Sequence, residues 1–180
     1  MSWNLLQPHP ATPAPGFSLA VAIARLDARS LGLSWRLAGD LSRLNLPDRN
    51  PDPERRDELW RHTCFETFVR DSGEPHYREL NFSTSGDWAV YQFDAYRQGM
   101  ASPAIITPPR IRVSLSPDAL RLDVDLAPEV FGDLPAGPLR LALTAVVESG
   151  DGELYYWALN HPPGKPDFHH DDGFALTLWP

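Results

Sequence analysis

Apolar and polar positions alternate with a period of two along most of the chain. Phe17, Leu19, Val21 and Ile23 fall on one parity with small residues between them, which predicts a strand over Phe17–Leu26. Leu31, Leu33, Trp35 and Leu37 alternate with Gly32, Ser34, Arg36 and Ala38, and the short gap at Asp27–Ser30 makes the two strands a hairpin. Leu41–Leu46 reads as a third, short strand. The centre of the chain predicts strands over His62–Arg70, Tyr77–Thr84 and Trp88–Tyr96, separated by DSGEP and the Ser85-Gly86-Asp87 corner. Arg110–Ser116 and Ala119–Leu126 alternate around a Ser116-Pro117-Asp118 turn. Leu139–Glu148 and Glu153–Leu159 form a further hairpin, and Phe174–Trp179 closes the series. No long stretch carries a helical period. About ten to eleven short strands with regular turn signals predict an all-β fold, an antiparallel β-sandwich of jelly-roll size.

Proline punctuates the rest. Residues 1–16, dominated by Pro8–Gly16, read as a proline-rich lead-in, and 17–180 as one sandwich domain. Pro47–Glu58 is a polar surface loop with room for one helical turn after Asp52-Pro53, where Asp caps and Pro takes the first helical position. At 180 residues, 42% hydrophobic and 22% charged, the chain suits a single globular domain. A net charge of −8 argues against nucleic acid and against an anionic membrane surface, and favours a neutral, polyhydroxy or cationic ligand. Cys64 is the single cysteine, so no internal disulfide forms. The first residues lack the basic and apolar regions of a secretory signal, and the apolar run from Phe17 is cut by Arg25 and Asp27. These features lead to the expectation of a soluble, cytoplasmic protein.

Candidate chemistry concentrates in Leu59–Met100. Strand parity puts His62, Cys64, Glu66 and Phe68 on one face, and Tyr77, Glu79, Asn81 and Ser83 on the matching face of the next strand. A hairpin closing at Arg70–Tyr77 sets Glu66 opposite Asn81 and Cys64 opposite Ser83. That surface offers carboxylates, an amide, a hydroxyl and a tyrosine, the groups that bind sugar hydroxyls, with an aromatic ring to cover the apolar face of a pyranose. The plain alternative is a solvated outer sheet face. Trp60 enters from the polar loop and is the ring expected to stack. Arg78, on the opposite parity, would neutralise a carboxylate from the rim, and the late loop with Lys165, Asp167 and His169 would close one side. Cys64 and His62 are spaced as neighbours along a strand and do not form a nucleophile–base pair. His169-His170-Asp171-Asp172, with His161, is read as a polar loop in preference to a metal site. Glu66 and Glu79 also raise the alternative of an enzyme acting on sugars.

The runs Trp60–Glu66 (WRHTCFE), Tyr77–Ser83 (YRELNFS) and Ser85-Gly86-Asp87-Trp88 onward, with Tyr156–Leu159, His161-Pro162 and Lys165–His170, resemble the DOMON-like domains related to family 9 carbohydrate-binding modules. Within that group the chain is similar to small, stand-alone, uncharacterised bacterial members. The likeness is close from Trp60 to the C-terminus and one of strand pattern before it. It implies a β-sandwich that binds sugar in some members and haem in others. Trp60, six positions before Glu66, is similar to the family 9 pattern in which the ring stacks on a sugar and the carboxylate accepts from its hydroxyls. Where that pattern has a second tryptophan, this chain holds Asn160, His161, Phe168 and His169, with Trp157 just upstream. The haem alternative would draw on Met100 with His161 or His169 as axial ligands, in an electron-transfer role. The favoured expectation is a non-catalytic module with a small-molecule ligand, most naturally a sugar, and no resident cofactor.

Overall fold

The computed structural model describes residues 2–25, 30–105, 107–131 and 137–179. Among them are twelve strands: β1 (Trp3–Pro8), β2 (Ser18–Arg25), β3 (Leu31–Ala38), β4 (Leu44–Asn45), β5 (Cys64–Asp71), β6 (Tyr77–Ser83), β7 (Trp88–Phe93), β8 (Arg110–Ser116), β9 (Ala119–Leu126), β10 (Leu139–Ser149), β11 (Leu154–Ala158) and β12 (Leu176–Leu178). Every strand pairing is antiparallel. One layer runs β8-β9-β3-β2-β1 and the other β1-β11-β10-β5-β6-β7. β1 belongs to both, bonded to β2 through Trp3–Leu6 and to β11 through Gln7 and Pro8. β4 and β12 pair with opposite ends of β10.

The period of two explains why the layers stack. Leu19, Val21, Leu33, Trp35 and Leu37 from the first layer meet Phe65, Val69, Leu80, Phe82, Leu141 and Leu143 from the second in one buried core. Trp35 lies between Phe65 and Phe82, its ring centroid 5.9 and 5.8 Å from theirs. The intervening residues of the second layer do not face water. Cys64, Phe68, Tyr77, Tyr91, Phe93, Ala142 and Val146 form a second apolar cluster on the far side of that sheet, roofed by loops carrying Leu59, Phe168 and Phe174. The sheet is therefore buried on both faces, which is why β5, β6 and β10 are almost continuously buried.

The sandwich is the fold the alternation predicts, with local differences. Residues 1–16, read as a lead-in, include β1, the strand that stitches the layers together. Leu41–Leu46 is a 3-10 turn over Leu41–Arg43, capped where Asp40 accepts from the Ser42 N–H, followed by the two-residue β4. No helical turn follows Asp52-Pro53. The Asp87 carboxylate instead accepts from the Glu54 N–H at 3.1 Å and the Asn50 amide at 2.8 Å, and Arg55 bridges to Trp88, so the loop lies extended along β7. The turn predicted at Asp27–Ser30 falls on 26–29 and, apart from Ser30, lies outside the described residues.

Candidate functional site

The register of β5 and β6 builds the floor of the site. Cys64 is opposite Ser83, Glu66 opposite Asn81, and Phe68 opposite Glu79. Glu66 and Glu79 thus lie diagonally across neighbouring strands on the outer face of the second layer. Both are deeply buried, at 3% and 5% exposure, which removes the reading of this face as a solvated surface. Above them is a cavity of about 370 Å³. Phe68, Phe93, Val146 and Tyr156 reach it from the sheet, and Trp60, Met100 and Phe168 from the loops.

Trp60 is delivered by a 3-10 turn over Leu59–Arg61. The turn starts at Glu58, whose φ of 63° places it in the left-handed region. The ring is half-buried and meets Tyr91 edge-on at 5.7 Å, while the Tyr91 hydroxyl donates to Asp57 at 2.6 Å and so ties the turn to β7. One flank of the tryptophan is fixed by packing and the ring borders the cavity.

The polar floor is poorly supplied with donors. Glu79 Oε1 accepts from the Asn81 amide at 2.8 Å. Its Oε2 lies 3.7 Å from His169 Nε2, beyond a good hydrogen bond. Glu66 Oε2 faces the Thr144 hydroxyl at 3.5 Å, and Glu66 Oε1 has no hydrogen-bond partner among the described residues. Burial, reinforced by the Glu79 charge, pushes Glu66 well above the usual carboxylate range. Burial pushes Glu79 up to about 7, against the downward pull of Asn81 and Arg97. His169 moves the other way, down to about 4, because burial and then the Arg97 charge disfavour the imidazolium. His169 Nδ1 lies 2.8 Å from the Tyr77 hydroxyl, which itself accepts from the Arg97 N–H; with Tyr77 as the donor, the neutral ring carries its proton on the Nε2 that faces Glu79.

The rim is a latch between two loops. Residues 94–100 make a tight bend in which Arg97 (φ 54°) and Gly99 (φ 67°) are both left-handed. A Cβ on Gly99 would meet the Asp94 carboxylate. From this bend the Tyr96 hydroxyl donates to Asp167 at 2.5 Å and the Arg97 guanidinium donates at 2.8 Å. Despite partial burial, these bonds hold Asp167 below its ordinary range.

Of the residues singled out from the sequence, the structure brings Trp60, Glu66, Glu79 and His169 to one cavity. Asn81 is fully buried beside it and holds Glu79 in place; Asp167 latches the rim. The others lie elsewhere. His62 ends the 3-10 turn before β5 begins, so alternation does not reach it; it is exposed, with Nδ1 2.8 Å from Glu148 Oε2. Ser83 shares the Glu66 face but sits at the far end of β6, where its hydroxyl accepts from Ser85 at 3.0 Å. His62 and Ser83 border a different, more polar hollow of about 690 Å³. Arg78 is on the opposite face, as its parity dictates, and donates to the Val130 carbonyl at 2.7 Å, so it does not neutralise the acids. Lys165 is exposed and does not line the cavity. Arg97, Tyr156 and Phe93 were not anticipated. Phe93 and Tyr156 do share strand parity with the site, whereas nothing periodic marks Arg97.

Met100 and His169, from the haem alternative, both border the cavity; His161 instead lies with Nε2 2.9 Å from the Gln7 carbonyl. Both ring nitrogens of His169 are turned to protein groups, Tyr77 and Glu79, so axial ligation would have to displace them. Among the described residues no group of three or more His, Cys, Asp or Glu side chains is placed to hold a metal ion.

Fold and site together define an antiparallel β-sandwich with an aromatic-walled, acid-floored cavity on the outer face of one sheet. Two solved structures share this fold. A Bacteroides uniformis protein named as a putative carbohydrate-binding protein superposes with a TM-score of 0.70 at 14% identity, over 99% of this chain and 86% of that one. A family 9 carbohydrate-binding module of Caldicellulosiruptor kristjanssonii, solved in complex with glucose, superposes with a TM-score of 0.50 at 14% identity, over 91% of this chain and 76% of the module. No family model and no curated protein matches the chain.

Proposed function

We propose that this protein is a carbohydrate-binding module of the DOMON-like group related to family 9 modules. The observation that carries the reading is the meeting of Trp60 with the buried, partner-poor carboxyl groups of Glu66 and Glu79 in one cavity. Trp60 covers the apolar face of a sugar ring, and Glu66 and Glu79 take up its hydroxyls. Asn81 orients Glu79, and the Asp167–Arg97 latch holds the loop that closes one side. Tyr156 and Phe168 stand where a second ring is needed, on the wall contributed by the late part of the chain. The fold shared with a glucose-bound family 9 module supports the reading.

Isothermal titration calorimetry against a panel of mono- and oligosaccharides tests it. At least one sugar binds, and Trp60→Ala and Glu66→Gln each weaken that sugar by about tenfold or more, the loss expected when a stacking ring or a buried acceptor is removed. Absence of binding across the panel, or binding that neither variant disturbs, rules out this site. Release of reducing sugar that Glu66→Gln abolishes would transfer the assignment to an enzyme.

A further inference from the structure

The cavity floor has many acceptors and few donors. Glu66 Oε1 is buried without a partner, and Glu66 Oε2 has only a long contact to Thr144. Glu79 Oε2 meets His169 at 3.7 Å. The one guanidinium at the cavity, Arg97, is already bonded to Asp167 on the rim. A sugar hydroxyl brings one donor and two acceptors, and opposite the ionised forms of Glu66 and Glu79 its acceptors go unmatched. An ammonium group brings three donors and no acceptor, which fits the free carboxyl oxygens. The walls agree, since Trp60, Phe93, Tyr156 and Phe168 present rings of the kind that attract a cation. So does the overall charge: the chain carries −8, and the Arg97 guanidinium at the rim is paired with Asp167.

Building on the carbohydrate reading, we propose that the sugar this cavity takes carries a protonated amino group, seated between the Glu66 and Glu79 carboxyl groups. The ammonium bonds to Glu66 Oε1 and Glu79 Oε2 while Trp60 covers the ring. Entry of the cation favours the ionised acids, so at neutral pH binding expels a proton that the pair otherwise holds. Glu66 faces Glu79, Cys64 and Thr144; Glu79 faces Arg97, His169, Tyr77 and Tyr91, and of these the two glutamates are the source of the proton.

The test is calorimetry of the full chain at pH 7 with glucosamine, glucose, N-acetylglucosamine and cyclohexylamine, repeated in two buffers of different ionisation enthalpy. Glucosamine binds about tenfold or more tighter than glucose, acetylation of the amine removes the gain, and of the three sugars glucosamine alone gives a buffer-dependent heat that reports proton release. In Glu66→Gln, confirmed folded by a cooperative melt, the preference for glucosamine over glucose collapses. Glucose binding as tightly as glucosamine, with no proton released, overturns the inference and leaves the carbohydrate reading intact. Cyclohexylamine binding as tightly as glucosamine upholds the amine and overturns the sugar. No binding by any of the four overturns the inference, and the wider saccharide panel then decides the carbohydrate reading.

Discussion

Glu79 and His169 should contribute opposing pH dependences to stability, and separating them tests the electrostatics of the site directly. Folded Glu79 keeps its proton to about 7, whereas the unfolded chain loses it near 4.5, so between those values the folded state binds more protons and stability falls as pH rises. At roughly 1.4 kcal/mol per pH unit that window is worth about 3 kcal/mol. His169 is neutral down to about 4 when folded and titrates near 6.5 when unfolded, so over that range the unfolded chain binds more protons and stability rises, also by about 3 kcal/mol. Urea denaturation of the wild type, Glu79→Gln and His169→Asn at intervals from pH 4.5 to 7.5 reads each contribution as a difference from wild type. Glu79→Gln gains about 3 kcal/mol relative to wild type on going from pH 4.5 to 7.5, and His169→Asn loses a similar amount. Glu66 adds a decline of the same sign as Glu79; it cancels from the His169→Asn difference, whereas in Glu79→Gln it shrinks with the loss of the Glu79 charge and so adds to that variant's gain. Two difference curves that stay flat across this range would refute the assignment of buried, proton-holding Glu79 and buried, neutral His169.

Three further outcomes follow from the geometry. Asp167→Asn removes the carboxylate that Tyr96 and Arg97 share; sugar affinity drops several-fold while the melting temperature moves little, because an exposed ion pair contributes about 1 kcal/mol or less. Leu80→Ala opens a cavity in the main core at a fully buried position and costs about 3 kcal/mol in urea denaturation at constant slope. Cys64 is fully buried, and burial together with the Glu66 charge pushes its thiol well up, so the native protein resists a maleimide at pH 7.5 and labels fully in urea.

The floor of the site was readable in the sequence because a strand has only two faces. Once β5 and β6 were placed, parity chose the faces and a hairpin closing at Arg70–Tyr77 set Glu66 against Asn81 and Cys64 against Ser83, and the structure has that register. The same rule assigned Arg78 to the other face, where it lies. Parity fails where the strand ends. His62 shares the phase of Glu66, but the 3-10 turn through Arg61 breaks the period just before it. Ser83 keeps its phase, yet Ser85 and Asp87 draw it into the following corner. The walls and rim depend on contacts between residues 70 or more positions apart, such as Arg97 with Asp167 and Tyr77 with His169, and no local period encodes them. β1 was hidden for a different reason: the prolines that follow it dominate the composition, and of its apolar residues Leu6 is buried while Trp3 and Leu5 stay exposed, so no buried alternation marks it.

Under the proposed function, the position of Glu66 would link stability to binding. A buried polar group without a partner costs about 1–3 kcal/mol, and folded proteins retain few of them. Trp35 Nε1, Trp157 Nε1 and Thr67 Oγ1 are in that state elsewhere in this chain, but none of those residues lines the cavity of the site. Glu66 does, while the Asn81 amide bonds Glu79 and the Arg97 guanidinium bonds Asp167. Replacing the acid with a leucine of similar size would remove the penalty and stabilise the free protein, as apolar substitution of buried charge often does. A ligand that donates to Glu66 removes the same penalty without losing the acid, so binding and folding draw on one unmet hydrogen bond. Under the proposed function, that shared origin accounts for a carboxyl group on the outer, loop-covered face of the second layer that the fold itself does not satisfy.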